Sequence, residues 1–342
     1  MSQERSELQH VGESPRPEPQ DHSELLLRVA QGYWEQDRTQ EDIGRELHLT
    51  RWKVGRLLEE ARTEGIVQIK IVHPQARRTD LEIALRSRFG LRDCIVVPTP
   101  RSGVRTSEVG QVTSRHVALA AANYLRMHGK RIRTLGVSWG NTLQEIAAVL
   151  PAGWTRGIEV IQINGSISRS VRPTTGANVA MSIAHSGGGR ATLLPVPAIV
   201  EHASTRQALY TETFVNEALT MARSADALLF SLGVLSPGSV LVHSGAVTPD
   251  ELDRLRTAGA CGDVLGHFIT ADGSIANDDI ESRTVGLTLD DLRGATQAIA
   301  VAAGPEKSQI ITAALTSGLC SVLVTDEGAA LGVVQHRPST HP

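Results

Sequence analysis

Thr134-Leu135-Gly136-Val137-Ser138-Trp139-Gly140-Asn141-Thr142-Leu143 is the segment that decides the fold: an apolar strand that breaks at glycine and turns into a helix. Such a turn aims backbone N–H groups at one point, and the helix start that follows favours an anion there. Ser138, Asn141 and Thr142 add side-chain donors to the same turn. These residues also satisfy G-x-S-x-G, the nucleophile elbow of α/β hydrolases, where Ser138 would attack an ester or amide. Asp263 and His336 follow in the order such a triad needs. The oxyanion motif, however, should precede the elbow, and the glycine-rich His185-Ser186-Gly187-Gly188-Gly189 comes after it. An anion site is therefore the better reading of the turn.

Outward from this segment the texture alternates between strand and helix. Short apolar runs stand at Cys94–Val97, Thr134–Val137, Ile158–Ile163, Thr192–Val196, Ala227–Ser231, Ala298–Ala302 and Ser321–Thr325. Helical patterns lie between most of them, as at Val109–Met127, Thr142–Leu150, Glu251–Leu255 and Ser308–Leu315. The alternation predicts an α/β unit, parallel strands covered by helices, with ligands at the carboxyl ends of the strands. Gly304-Pro305-Glu306-Lys307 repeats the glycine turn after a strand; a lysine there opposes the helix dipole unless an anion sits with it. Asp263, in Gly262-Asp263-Val264, suits sugar hydroxyls or is an ordinary turn aspartate. Asp326-Glu327 offers a carboxylate pair, for acid/base work or to cap a loop. The 12 histidines show no H-E-x-x-H spacing, so no metal site is expected.

The first stretch reads differently. Residues 1–21 are polar and proline-bearing and predict a disordered tail. From Ser23, Leu26, Val29, Ala30 and Tyr33 fall on one helical face. Thr39 with Asp42 opens a second short helix, and Thr50 caps a third that carries Val54, Leu57, Leu58 and Ala61 inward. Two helices, a tight turn through Leu49 and a third helix make a helix-turn-helix, whose last helix enters the major groove. The opposite face then presents Trp52, Gly55, Arg56 and Glu59. Arg56 is placed for a guanine edge, while Arg51 and Lys53 are placed for phosphates. From Thr50 to Leu58 there are three cations and no acid. The β-branched run Ile66–Val72 predicts a wing, and a helix over Thr79–Phe89 a connector. The expected division is a DNA-binding domain at 22–74, a connector at 75–90, an effector domain at 91–334 and a short tail at 335–342.

Composition sets limits on function. At 342 residues the chain has room for two domains. Apolar residues are 41% and charged residues 21%, ordinary globular usage, and a formal charge of -3 excludes a wholly basic coat for nucleic acid or membranes. The three cysteines, Cys94, Cys261 and Cys320, form no C-x-x-C pair. No run approaches the ~18 apolar residues of a membrane span, and no secretion signal is visible. A cytoplasmic protein with no membrane partner is the expectation.

In this order the features resemble the SorC family of bacterial sugar-responsive transcription regulators. The resemblance runs from Ser23 to Val334. It rests on Glu64-Gly65-Ile66-Val67, the Gly136–Leu143 turn, Gly262-Asp263-Val264, Arg283 before Val285-Gly286, Gly304 with Lys307, and Thr325-Asp326-Glu327. It implies a winged helix-turn-helix joined to a Rossmann-like domain similar to phosphosugar isomerases and deaminases. It further implies a double-stranded operator, a phosphorylated sugar or polyol effector, a homotetramer or homodimer, no cofactor and no catalytic residue. By position Ser138, Gly140, Asn141, Thr142 and Lys307 would hold the phosphate and Asp263 the hydroxyl end, with Gly136, Trp139 and Gly165 completing the site. Thr50, Arg51, Trp52, Lys53 and Arg56 would serve DNA. Ala303, Cys261 and the Ser231-Leu232-Gly233 loop depart from the family's usual residues, which leaves the effector's identity open. An isomerase-like or deaminase-like enzyme is the competing reading.

Overall fold

The computed structural model describes residues 19–67, 77–100, 108–167 and 176–336. The chain divides into two compact units, one formed by the N-terminal helices and the other by the α/β body.

The N-terminal unit holds α1 (Pro19–Trp34), α2 (Gln40–Glu46) and α3 (Arg51–Thr63). Helix α1 starts at Pro19, inside the expected disordered tail, because proline's fixed φ suits the first helical turn. Leu26, Val29, Ile43, Val54, Leu57 and Ala61 form its buried core. Thr39 and Thr50 both cap as expected: each side-chain oxygen accepts a backbone N–H, from Asp42 and Lys53. The turn between α2 and α3 is tight. Leu49 N–H donates to the Gly44 carbonyl at 2.8 Å, and a Cβ on Gly44 would stand 2.6 Å from the Leu49 carbonyl oxygen. His48 takes the left-handed conformation at φ 54 that closes this turn. His22 on α1 meets Glu60 on α3 at 2.7 Å and ties the two helices. Most of the wing expected at Ile66–Val72, residues 68–72, lies outside the described residues.

The second unit opens with α4 (Thr79–Phe89) and is built on one sheet. Its strands are β1 (Asp93–Val97), β2 (Thr134–Val137), β3 (Glu159–Gln162), β4 (Arg190–Thr192), β5 (Ala227–Val234), β8 (Ala298–Val301) and β9 (Val322–Asp326), all parallel, in the order β1-β9-β8-β5-β2-β3-β4. Strand side chains alternate between two cores. Leu228, Phe230, Ala298, Ala300 and Leu323 face one layer, with α4, α9 (Thr213–Arg223), α14 (Ser308–Thr316) and α15 (Glu327–Gln335). Leu229, Val137, Ile299, Val301 and Val324 face the other, with α5 (Val109–His128), α6 (Asn141–Val149) and α7 (Gly176–Ser186). Period-2 alternation in a doubly covered sheet explains why the strands read as unbroken apolar runs.

Two elements depart from the sequence reading. The strand expected at Thr192–Val196 lies earlier, at Arg190–Thr192, while Leu194 and Val196 are buried as irregular chain. An antiparallel hairpin, β6 (Ala260–Val264) with β7 (His267–Thr270), adds to the end of β5, pairing Gly233 with Asp263. The order turns between β2 and β5: β3 and β4 extend to one side, β8 and β9 to the other. That reversal places a crevice at the strands' carboxyl ends, where open α/β sheets bind ligands.

Candidate functional site

At this crevice lies a cavity of about 270 Å³. The loop after β2 supplies Ser138, Trp139, Gly140, Asn141 and Thr142, and the end of β5 supplies Ser231 to Val234. Asn164 follows β3, Asp263 and Leu265 come from the hairpin, Gly238 to Leu241 from a following loop and short helix, and Lys307 from the turn after β8. The residues predicted for the phosphate and hydroxyl ends therefore meet in one place.

The β2 loop is arranged as its sequence requires. Gly140 has φ 140, and a Cβ there would stand 2.8 Å from Ser231 Oγ. Among the described residues no side chain caps α6, so the N–H groups of its first turn need a partner from outside the helix. Lys307 ends a short 3-10 turn, Pro305–Lys307, rather than entering an α-helix, and its Nζ donates to the Leu232 carbonyl at 2.5 Å. Burial pushes its ammonium below the usual lysine range, against the opposing pull of Asp263 and Glu306. Burial pushes Asp263 above the usual carboxylate range, opposed by the Gly266 N–H, Lys307 and His267. The Asp263 carboxylate needs the glycine opposite: a Cβ on Gly233 would lie 1.8 Å from its Oδ1. Burial thus works against both charges, and an anion beside Lys307 with hydroxyls beside Asp263 would relieve that cost.

Two predicted residues do not line the cavity. Gly136 lies beneath it in β2, where a Cβ would stand 2.5 Å from Leu228 Cδ2. Gly165 lets the chain pass Pro197, whose carbonyl oxygen a Cβ would meet at 2.2 Å, and its own carbonyl accepts the Trp139 indole N–H at 2.7 Å. Both are glycine for packing. Sequence reasoning overlooked Asn164, whose buried Oδ1 has no hydrogen-bond partner among the described residues, while its amide donates weakly to the Leu265 carbonyl at 3.5 Å. An asparagine directly before a glycine, just after a strand, was the signal for it.

The remaining chemical candidates find structural work. Ser138 is 2% exposed and its hydroxyl donates to the Trp139 carbonyl at 3.3 Å, while His336 is exposed beyond α15, so no Ser-His pair forms here. Asp326 caps α15 by accepting from Gly328 and Ala329 and also takes the Gly304 N–H at 2.6 Å. Arg283 is held by Glu251 at 2.6 Å and Asp279 at 3.0 Å. On the N-terminal unit, Arg51, Trp52, Lys53 and Arg56 are exposed along α3, with Arg56 5.2 Å from the Trp52 ring centroid. Trp52 is 71% exposed, unusual for so large an apolar side chain. No helix among the described residues is long and apolar enough to cross a membrane.

Residues 73–335 match the family described as a putative sugar-binding domain. The chain is 30% identical over 313 residues to the deoxyribonucleoside regulator of Bacillus subtilis (strain 168), which covers 91% of this chain and 97% of that protein. It is 28% identical to the transcriptional regulator LsrR of Klebsiella pneumoniae, over 91% of this chain and 93% of that one. Among solved structures, the full-length sorbitol operon regulator SorC from Klebsiella pneumoniae covers 92% of this chain and 99% of its own, with a TM-score of 0.68 at 24% identity, a likeness of fold. A DeoR family transcriptional regulator from Listeria monocytogenes covers 75% of this chain with a TM-score of 0.67 at 25% identity.

Proposed function

Because this chain belongs to the SorC family of sugar-responsive transcriptional regulators, we propose that its cavity holds a phosphorylated sugar or polyol and that the bound effector alters operator binding through α3. The protein is a DNA-binding regulator modulated by a sugar, and not an enzyme. The phosphate is our own step. One observation carries it: the uncapped start of α6 and the Lys307 ammonium face one cavity that also contains Asp263 and the partnerless oxygen of Asn164. Helix N–H groups and a lysine match a phosphate, while a carboxylate and an amide oxygen match hydroxyl hydrogens.

The effector works by binding one arrangement of the protein better than another. A homodimer or homotetramer in the cytoplasm is the assembly we infer, since paired recognition helices read paired half-sites and effector binding would change their spacing. Calorimetric titration with ribose 5-phosphate, sorbitol 6-phosphate and the unphosphorylated sugars tests the reading. We expect saturable binding of at least one phosphate ester, weakened in Thr142→Ala, together with a changed mobility of operator DNA. Equal binding of the free sugar would remove the phosphate from the account, and repeated turnover of an ester would replace it with an enzyme.

A further inference from the structure

We propose that Arg78 and Glu327 are the positioning pair through which the effector cavity acts on the chain leading to the DNA-binding unit. This rests on the effector reading above and adds the route by which the signal leaves the cavity. The chain re-enters the described structure at Arg77, after the segment that follows the recognition helix. There it is fastened to the sheet edge: Arg78 N–H donates to the Val96 carbonyl at 2.8 Å, and Arg77 donates to the Cys94 carbonyl at 2.9 Å. Glu82, 6% exposed, accepts from Val96 N–H at 2.9 Å and from Arg77 at 2.7 Å. Strand β1 is an edge strand, and these contacts occupy the groups that an open edge would leave unpaired.

The Arg78 guanidinium turns inward to pair with Glu327, which is 4% exposed, while its remaining nitrogens grip Asp80. Glu327 is the first residue of α15, next to Asp326. Asp326 is fully buried and holds the Gly304 N–H at 2.6 Å. Gly304 opens the turn that ends in Lys307, a residue that lines the cavity. Thr99 closes the arrangement, donating its N–H to Glu327 at 3.4 Å and its hydroxyl to Asp326 at 3.3 Å. From Lys307 to Arg78 the path therefore runs through one 3-10 turn, two adjacent carboxylates and one ion pair. Every step is a hydrogen bond or a covalent neighbour, and Asp326 and Glu327 cannot move separately because they share a helix start. When an anion draws Lys307 from the Leu232 carbonyl, the Gly304 turn shifts and takes the α15 start and the connector with it.

Two measurements test this. Hydrogen exchange on the ligand-free protein reads the path without any effector. Arg78→Ala should speed exchange in the peptide spanning Gly304 to Ser308, and the charge-swapped pair Arg78→Glu with Glu327→Arg should restore it. Unchanged exchange there overturns the proposal. Fluorescence anisotropy with operator DNA then measures the ratio of affinities with and without ribose 5-phosphate or sorbitol 6-phosphate. Arg78→Ala should keep calorimetric effector affinity within about twofold while losing most of an affinity ratio of about fivefold or more. A full response in Arg78→Ala overturns the relay. If the parent protein binds neither ester, the effector reading fails and the exchange result alone judges the pair. If Arg78→Ala is too unstable to purify, Glu327→Gln, which keeps a hydrogen bond but no charge, takes its place under the same criteria.

Discussion

Lys307 carries a burial cost that Asp263 and Glu306 offset only in part. Its ammonium is partly buried, it donates to one carbonyl, and burial lowers its pKa from the lysine reference of 10.5. For a group whose folded pKa is depressed, the stabilising contribution is complete above the unfolded pKa and disappears as pH falls through the folded one. The ligand-free protein should thus gain stability between the lowered value and 10.5. Effector affinity should fall over the same interval, because the anion needs the charged form. Calorimetry from pH 7 to 10 should show this alkaline loss of affinity, and Lys307→Arg should flatten it, since a guanidinium stays charged throughout. An affinity that is flat with pH in the parent would mean that Lys307 does not face the anion.

In the function proposed above, DNA recognition rests on helix α3, and that proposal can be tested in two separable ways. Thr50 caps its start by accepting from Lys53 N–H at 3.2 Å, so Thr50→Ala should cost about 1 kcal/mol of the N-terminal unit's stability while leaving base preference intact. Arg56→Ala leaves the cap and core alone, and should cost about 1–3 kcal/mol of discrimination at one base pair of a selected operator. Thermal denaturation and a base-by-base binding series separate the two. This element was legible in sequence because caps, an inward apolar stripe and an outward cationic face are local patterns. The β2 turn was legible for the same reason. The β6–β7 hairpin was not, since its place beside β5 comes from pairing Gly233 with Asp263, two residues far apart in the chain. Asn164 and the Ser239 loop joined the cavity through the same long-range folding, and Gly136 and Gly165 were misassigned because packing glycines look like binding glycines until their neighbours are known.

At the scale of the whole molecule, two compact units imply two separable stabilities. The N-terminal unit is a small three-helix core around Leu26, Leu57 and Ile43, whereas the second unit buries two apolar layers on a nine-stranded sheet. Small units bury proportionally less surface, so the first should melt below the second. An effector that binds only the folded second unit adds stability to that unit alone, by about 2.7 kcal/mol at a free concentration of a hundred times its Kd. For a unit of this size each kcal/mol moves the midpoint by about 2–4 °C, so a shift of roughly 5–10 °C is expected in one transition. Differential scanning calorimetry should therefore show the upper transition moving with effector concentration and the lower one moving with operator DNA. A single transition displaced by both ligands would show instead that the two units unfold as one body, and the connector would then carry cohesion as well as signal.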